Sequence, residues 1–413
     1  MKVGLISYHS FSNPGGVKTH ILALHQEFQK RGIISKIIIP RRKKSENYGK
    51  DVILLGTSFP LPFNGSQSDF SISLTPGKIE KMLKKENFDV LHCHNCGLIS
   101  YQIVEKSNAL NILTFHSCTT LKEIKDSFLF KILPVDYLVK KSIPKVDGVI
   151  GIAPFNISLV KKFGYNGKTA IIPNGIDLEK FNPENPKIRK FLDEKINILF
   201  VGRIEKRKGL IYLLKAYKIL EKKYQNLRLI VVGEGKLRQK CQDFVKKHKL
   251  KNVIFEGEIE SSEVPHYYTT ADIFVAPAIF GESFGIVLLE AMASGCPVVA
   301  FANQGYKRIL KDEGARFLVK PMDFKSLAQK IEILIKNKEL RKEMTEWGIK
   351  EAQKYSWSKI ADQVLNFYKQ CLKNKPKRLQ PTRHPLAHPP TLNMKEKIPS
   401  IDKIIKRIYN KIS

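Results

Sequence analysis

The sequence predicts an α/β protein of two doubly wound halves, each a parallel sheet covered by helices on both faces. Three observations carry this reading. Short β-branched runs alternate with helix-spaced segments through most of the chain. The alternation breaks once, at Ile172-Pro173-Asn174-Gly175-Ile176-Asp177, and then restarts. A chain of 413 residues also exceeds what one core ordinarily organises.

In the first half, residues 2–7 read as a strand and 17–30 as an amphipathic helix. Residues 34–39 and 52–55 read as strands, 76–87 as a helix and 90–92 as a strand end. Residues 98–106 form a helical pattern and 111–115 a strand. Helices at 128–141 and 154–163 flank a strand at 148–152. After the break and the proline-containing stretch 182–186, strands are predicted at 196–201, 227–232, 253–255, 273–276, 298–300 and 317–319. Helices at 323–336 and 340–354 close the second half, and Tyr355-Ser356-Trp357-Ser358 starts another that runs to Lys373. Two Rossmann-like halves of this kind would face each other across a cleft, with ligands at the strands' carboxyl ends.

The segment 375–390 is proline-rich and reads as a tether. It leads to an amphipathic helical pattern at 394–413. There the isoleucines from Ile398 to Ile412 share one face, and Lys403, Lys406, Arg407 and Lys411 fall mostly elsewhere. From Asn374 onward, ten Lys and Arg stand against only Glu396 and Asp402.

The formal net charge of +32 favours anionic partners, namely nucleotide phosphates or an acidic membrane surface. No RNA-recognition or zinc-finger pattern and no aromatic-interleaved basic groove is present, so nucleic acid is not an expected partner. Six cysteines in a chain this long do not make a disulfide framework and suit a reducing compartment. The first residues read as a strand and not as a signal peptide. The longest apolar run, 286–302, is broken by Glu290, Ser294, Gly295 and Pro297, which excludes a spanning helix there. Membrane contact would be peripheral, on the cytoplasmic face.

The chemistry concentrates in 281–295. Glu282 lies in a loop after the strand at 273–276, and Glu290 lies about two turns into a helix that opens near Phe284 and ends at Gly295. The helix's first free N–H groups lie between the two acids and suit a phosphate. Upstream, Gly202-Arg203-Ile204-Glu205-Lys206-Arg207-Lys208-Gly209 follows a strand and starts a helix. Arg203 and Lys208 are there placed to grip a diphosphate.

Gly-Arg-x4-Lys-Gly followed by Glu-x7-Glu from Glu282 to Glu290 resembles the retaining GT-B glycosyltransferases of family 4, group 1. The phosphatidyl-myo-inositol mannosyltransferase type is the most similar. Pro14-Gly15-Gly16-Val17-Lys18-Thr19-His20, Thr114-Phe115-His116-Ser117, Ile172 to Asp177 and Gly281 to Val287 carry that likeness, which runs from residue 1 to about 373. It implies a GT-B fold: an acceptor domain at 1–175, a donor domain at 176–355, and a helix at 356–373 returning to the first domain. The tether and tail helix fill 374–413, outside the likeness.

The same resemblance implies roles. Gly15 and Gly16 form the first domain's glycine loop, where a helix N-terminus approaches the donor phosphate and the acceptor. Arg203 and Lys208 hold the diphosphate and stabilise the leaving nucleotide. Glu282 binds hydroxyls of the transferred sugar, and Glu290 binds the ribose. The amides of Phe284, Gly285, Ile286 and Val287 contact phosphate and sugar, and His116 lies near the reacting sugar. The co-substrate would be a GDP- or UDP-sugar, with no further cofactor and no metal. The implied reaction moves a hexose, mannose from GDP-mannose, to a lipid-linked or inositol-type acceptor. Two alternatives stand beside it: a UDP-sugar-dependent transferase (for example N-acetylglucosaminyl) on a polyisoprenyl or soluble acceptor, and a degenerate nucleotide- or membrane-binding protein of this fold. Intact Arg203, Lys208, Glu282 and Glu290 argue against the last. Ser12, where these mannosyltransferases often carry an acid, and the arginine-free stretch 70–74 depart from the pattern and bear on the acceptor alone.

Three further features bear on partners. The Glu282/Glu290 spacing invites comparison with a glycosidase carboxylate pair, but the loop-then-helix placement assigns both to hydroxyl binding. His92-Cys93-His94-Asn95-Cys96, with His116 and Cys118, has zinc-like composition but poor spacing, since adjacent strand residues point to opposite faces. Lys78, Lys81, Lys84 and Lys85 lie on the helix at 76–87 beside Ile79, Met82 and Leu83, and could dock on anionic lipid. The amphipathic tail is a second membrane candidate. Nothing in the sequence sets an oligomeric state.

Overall fold

The computed structural model describes residues 1–12, 15–43, 45–63, 66–73, 76–95, 97–116 and 143–373. The helix expected at 128–141 and the tail with Lys403, Lys406 and Arg407 lie outside these residues, as do Pro14, Cys96, Ser117 and Cys118.

The described residues form two sheets. The first contains β1 (Lys2–Ser7), β2 (Ile34–Arg41), β3 (Val52–Phe63), β4 (Ser66–Ile72), β5 (Val90–His94), β6 (Leu110–Phe115), β7 (Gly148–Gly151) and β8 (Lys168–Ile171). Their order is β4-β3-β2-β1-β5-β6-β7-β8. The second contains β9 (Ile196–Val201), β10 (Leu227–Val232), β11 (Val253–Gly257), β12 (Ile273–Ala276), β13 (Val298–Phe301) and β14 (Leu318–Val319), in the order β11-β10-β9-β12-β13-β14. Each order reverses once, between β1 and β5 and between β9 and β12. Crevices open at such reversals, beyond the strands' carboxyl ends.

The strands are parallel with one exception. β4 runs antiparallel to β3, from Thr57 opposite Ile72 to Phe63 opposite Ser66. The sequence reading placed a strand at 52–55 and missed this hairpin, whose first strand carries Pro60 and Pro62. The register explains how they fit. β3 pairs with β2 only as far as Thr57, so the prolines lie past the shared ladder, where a missing N–H costs no bond to β2.

Helices α1 (Gly16–Lys30), α2 (Pro76–Glu86), α3 (Leu98–Lys106) and α4 (Pro154–Lys162) flank the first sheet. The second half carries α5 (Leu210–Glu221), α6 (Arg238–Lys247), α7 (Val264–Thr270), α8 (Ile286–Ala293), α9 (Asp312–Ala315), α10 (Phe324–Lys336) and α11 (Lys338–Ala352). The last described helix, α12 (Trp357–Lys373), leaves the second half and packs on the first. Trp357, Ile360, Val364, Phe367, Tyr368 and Cys371 share a buried cluster with Val3 and Leu5 of β1, Ile21 and Leu24 of α1 and Ile112 of β6. Full burial of side chains of this size contributes about 1.5–3 kcal/mol each. The two chain crossings between halves lie side by side: Ile176 bridges Ser356, and its N–H donates to the Tyr355 carbonyl at 2.8 Å.

One polar pair is sealed inside this packing. The Tyr368 hydroxyl shares a 2.6 Å hydrogen bond with His92 Nδ1, while His92 Nε2 lies 2.6 Å from Thr114 Oγ1. Tyr368→Phe would leave a fully buried ring nitrogen without its partner. The expected loss is about 1–3 kcal/mol of unfolding free energy, read from the urea midpoint. A midpoint within error of the parent would show that the bond contributes nothing net.

Candidate functional site

The cleft residues come from the carboxyl ends of the strands at the two reversals. β9 ends at Val201, and Gly202 to Lys208 follow before α5. β12 ends at Ala276, and the loop through Glu282 leads into α8. The two loops are stitched together, since the Ile279 N–H donates to the Arg207 carbonyl at 2.8 Å.

Glu282 receives two cations on one oxygen. Lys208 Nζ lies 2.8 Å and an Arg207 guanidinium nitrogen 2.6 Å from Glu282 Oε1. Both Lys208 and Glu282 are largely withdrawn from water, at 14% and 11% side-chain exposure. Arg203 is 54% exposed and pairs at 3.3 Å with Glu205, which also takes Arg207 at 3.0 Å. Positive and negative groups therefore alternate along the chain of ion pairs from Arg203 through Glu205, Arg207 and Glu282 to Lys208. Arg207 was not singled out from sequence, because Arg-x4-Lys spacing drew attention to its neighbours. Its signal was the run of three basic residues from Lys206 to Lys208.

α8 begins at Ile286, two residues later than the apolar spacing suggested, because Gly285 turns the chain. Its φ of 99° is left-handed, and a Cβ there would lie 2.5 Å from the Tyr306 ring. Only glycine meets both conditions. The amides opening α8 face outward from a helix start and carry its partial positive charge. At the far end Gly295 takes φ 76°, and the Cys296 N–H reaches the Ala291 carbonyl at 2.9 Å, which closes the helix as expected.

Glu290 lies on α8 with the Tyr268 hydroxyl donating to its Oε2 at 3.0 Å. Burial pushes its carboxyl above the ordinary range, opposed by that hydrogen bond and by the charges of Lys180 and Lys208. Lys208 thus touches Glu282 and acts at a distance on Glu290. The raised value has a stability consequence. Folding favours the protonated form, so this contribution is complete below the ordinary carboxylate range and is lost as pH rises through the raised value. Glu290→Gln is therefore expected to gain thermal midpoint relative to the parent as pH goes from about 4 to 7. A difference that stays flat or shrinks over that range would contradict the burial account.

On the first half, Gly15 caps α1 and Gly16 opens it, both exposed, with nothing within 4 Å of a Cβ added at either. The space beside them is open, so the fold itself does not require glycine there. His116 follows β6. Its N–H donates to Asn95 Oδ1 at 2.6 Å, and its Nε2 lies 3.0 Å from His94 Nδ1. Ser283, the neighbour of Glu282, reaches the His116 carbonyl at 3.5 Å. The two walls meet at that contact.

The histidine-rich strand end sorts by strand alternation. His92 and His94 project to one side of β5, while Cys93 is buried on the other among Ile6, Leu91 and Leu113. Cys93 is therefore not beside the histidines. What joins His94 and His116 is His20 of α1, whose Nδ1 lies 3.0 Å from Asn174 Oδ1. His20 and Asn174 stood inside quoted motifs without an assigned role.

On α2, Lys78, Lys81, Lys84 and Lys85 are exposed, but Ile79 and Met82 are buried in the core. Those apolar neighbours face the sheet, so the outward face of α2 is basic and carries no apolar stripe. Among the described residues, no helix is long and apolar enough to cross a membrane.

Two family descriptions match the chain, Glycosyltransferase Family 4 over residues 14–180 and Glycosyl transferases group 1 over residues 181–351. A phosphatidyl-myo-inositol mannosyltransferase of Mycobacterium leprae is 30% identical over 377 residues, spanning 89% of this chain and 96% of the relative. The chain is a family 4, group 1 glycosyltransferase. An alpha-monoglucosyldiacylglycerol synthase of Streptococcus pneumoniae is 28% identical over 330 residues, 76% of this glycosyltransferase and 74% of that protein. Among solved structures, a sucrose-phosphate synthase from Thermosynechococcus elongatus superposes with a TM-score of 0.70 at 21% identity, covering 91% of this chain and all of the other. HepE of Anabaena superposes at 0.68 and 15% identity, covering 90% of this chain and all of that one. These likenesses establish the GT-B fold.

Proposed function

We propose that this glycosyltransferase moves a hexosyl unit, mannose from GDP-mannose, to a lipid-linked or inositol-type acceptor at the cytoplasmic membrane face, with retention at the anomeric carbon. The observation that carries the reading is the convergence of Lys208, Arg207 and Glu282 beside the α8 amides. It supplies cations and N–H groups for a diphosphate next to a carboxylate for sugar hydroxyls. The inositol-lipid acceptor rests on the mannosyltransferase relatives.

In this reading Arg203, Lys208 and the amides of Phe284 to Val287 hold the diphosphate. Charge building on the leaving nucleotide is met by groups already in place. Glu282, fixed by two cations, accepts from hydroxyls of the transferred sugar. Glu290, oriented by Tyr268, accepts from the ribose. Gly15 and Gly16 leave room for donor and acceptor, and His116 faces the sugar from the opposite wall. The acceptor oxygen attacks the anomeric carbon on the face the nucleotide leaves. The new C–O bond forms as the C–O bond to the β-phosphate breaks, and the acceptor's proton passes to that phosphate. Cationic side chains and a helix end supply the positive charge, so this mechanism needs no metal. Lys78, Lys81, Lys84 and Lys85 would bring the first domain to an anionic surface at about 1 kcal/mol per lysine. The tail with Lys403, Lys406 and Arg407 would add a second contact, and truncation after Lys373 is expected to weaken liposome binding while sparing donor turnover.

The test is a donor screen that follows GDP or UDP release, with inositol-lipid vesicles, other lipid extracts or soluble sugars as acceptor. Turnover of GDP-mannose that requires inositol lipid supports the reading. Preference for a UDP-sugar would overturn the donor, full activity on soluble sugars would overturn the membrane acceptor, and inversion at the anomeric carbon would overturn the mechanism.

A further inference from the structure

The structure assigns a divalent transition-metal site to His20, His94 and His116, on the first domain's side of the cleft. One ring nitrogen of each lies within 4.8 Å of the others. The three come from separate elements, α1, the end of β5 and the residue after β6. The rings are packed face and edge, with His20 4.8 Å from His116 and 5.1 Å from His94 between centroids.

Two features distinguish this cluster from histidines used as core filler. His92, on the same strand face, has both ring nitrogens matched to hydroxyls. His20, at 3% exposure, buries an Nε2 that has no hydrogen-bond partner. An unmet lone pair in such a place is costly unless a ligand takes it. His20 is also oriented as metal-binding histidines are, since Asn174 accepts from its Nδ1–H and directs the Nε2 lone pair inward.

The chemistry selects the ion. A neutral imidazole offers one lone pair and one N–H, and His20 and His94 are both buried, where the charged form is disfavoured. Three imidazoles, joined by no carboxylate among the described residues, suit Zn²⁺ or Co²⁺ and disfavour Mg²⁺ or Ca²⁺, which take oxygen ligands. The proton now shared between His94 Nδ1 and His116 Nε2 moves to the outer nitrogen of its own ring when the ion enters, with no net proton release. The fourth position is left for water. A bound ion would tie α1, β5 and the end of β6 into one unit. The proposal does not rest on the transfer reading.

The test uses the whole chain, stripped with chelator and dialysed against Zn²⁺. One ion per chain is expected, with X-ray absorption giving three imidazole nitrogens at about 2.0–2.1 Å. Two variants follow. His94→Gln should lose the stoichiometric ion, and Asn174→Ala, which leaves all three rings, should bind about 10-fold more weakly. Absence of a bound ion, a thiolate in the absorption spectrum, or unchanged affinity in His94→Gln would each overturn the assignment. The absorption measurement on the parent protein decides the matter even if His94→Gln fails to fold.

Discussion

Lys208→Ala is expected to lower kcat/KM for the nucleotide sugar by about 10³-fold, or ~4 kcal/mol of transition-state stabilisation. Two losses combine. The 2.8 Å bond to Glu282 Oε1 disappears, so the carboxylate proposed to hold the sugar keeps only Arg207 as its anchor. The cation proposed to face the departing diphosphate is also gone, from a site where little water can replace it. Because the two losses share one group, Lys208→Ala and Glu282→Gln should combine less than additively. Arg203→Ala should cost less, since that side chain is mostly solvated and already satisfied by Glu205. Lys208→Arg should recover only part, because a planar guanidinium cannot replace a point charge in a packed slot. The measurement is initial-rate nucleotide release for the four single variants and the Lys208→Ala/Glu282→Gln double variant. A Lys208→Ala enzyme within threefold of the parent would remove Lys208 from the transition state.

The strand ends that carry the candidate residues were legible because their signals are local in sequence. The span from Gly202 to Gly209 and the pair Glu282 and Glu290 each follow a strand whose apolar run is unambiguous, and strand ends at order reversals are where clefts form. Side-chain partnerships were not legible. Sequence placed Glu282 in a loop as a sugar ligand, and the structure makes it the shared partner of Arg207 and Lys208. That contact spans more than seventy residues, and no spacing encodes it. The histidines illustrate the same limit. Alternation along β5 correctly separates Cys93 from His94, but only the packing of α1 on the sheet adds His20. The β3–β4 hairpin failed for another reason. Proline is a strong stop signal in a central strand and a weak one past the end of a shared ladder. Strand order decides which applies, and sequence does not carry it.

Gly209→Ala is expected to be the most damaging of the conservative substitutions, and its comparison with Gly16→Ala separates two reasons for glycine. Gly209 holds φ 72°, and a Cβ there would lie 2.0 Å from the Pro277 carbonyl oxygen. That neighbour is backbone at the end of β12 and cannot rotate away. The combined strain should cost about 3 kcal/mol of unfolding free energy. It should also pull the Gly202 to Gly209 loop off the Pro277 to Ile279 segment, to which Arg207 is bonded through the Ile279 N–H. Lys208 would move with it, so kcat/KM should fall by about 10²-fold in molecules that remain folded. Gly16 presents the opposite case. Nothing lies within 4 Å of an added Cβ, so Gly16→Ala should keep its stability within about 0.5 kcal/mol of the parent. Its expected effect is a rise in KM of about 10-fold, because the methyl group would fill space reserved for donor and acceptor. Urea midpoints and initial rates on both variants give the two-by-two comparison. Loss of stability in Gly16→Ala would make its glycine structural, and an unchanged KM would take the α1 start out of the site.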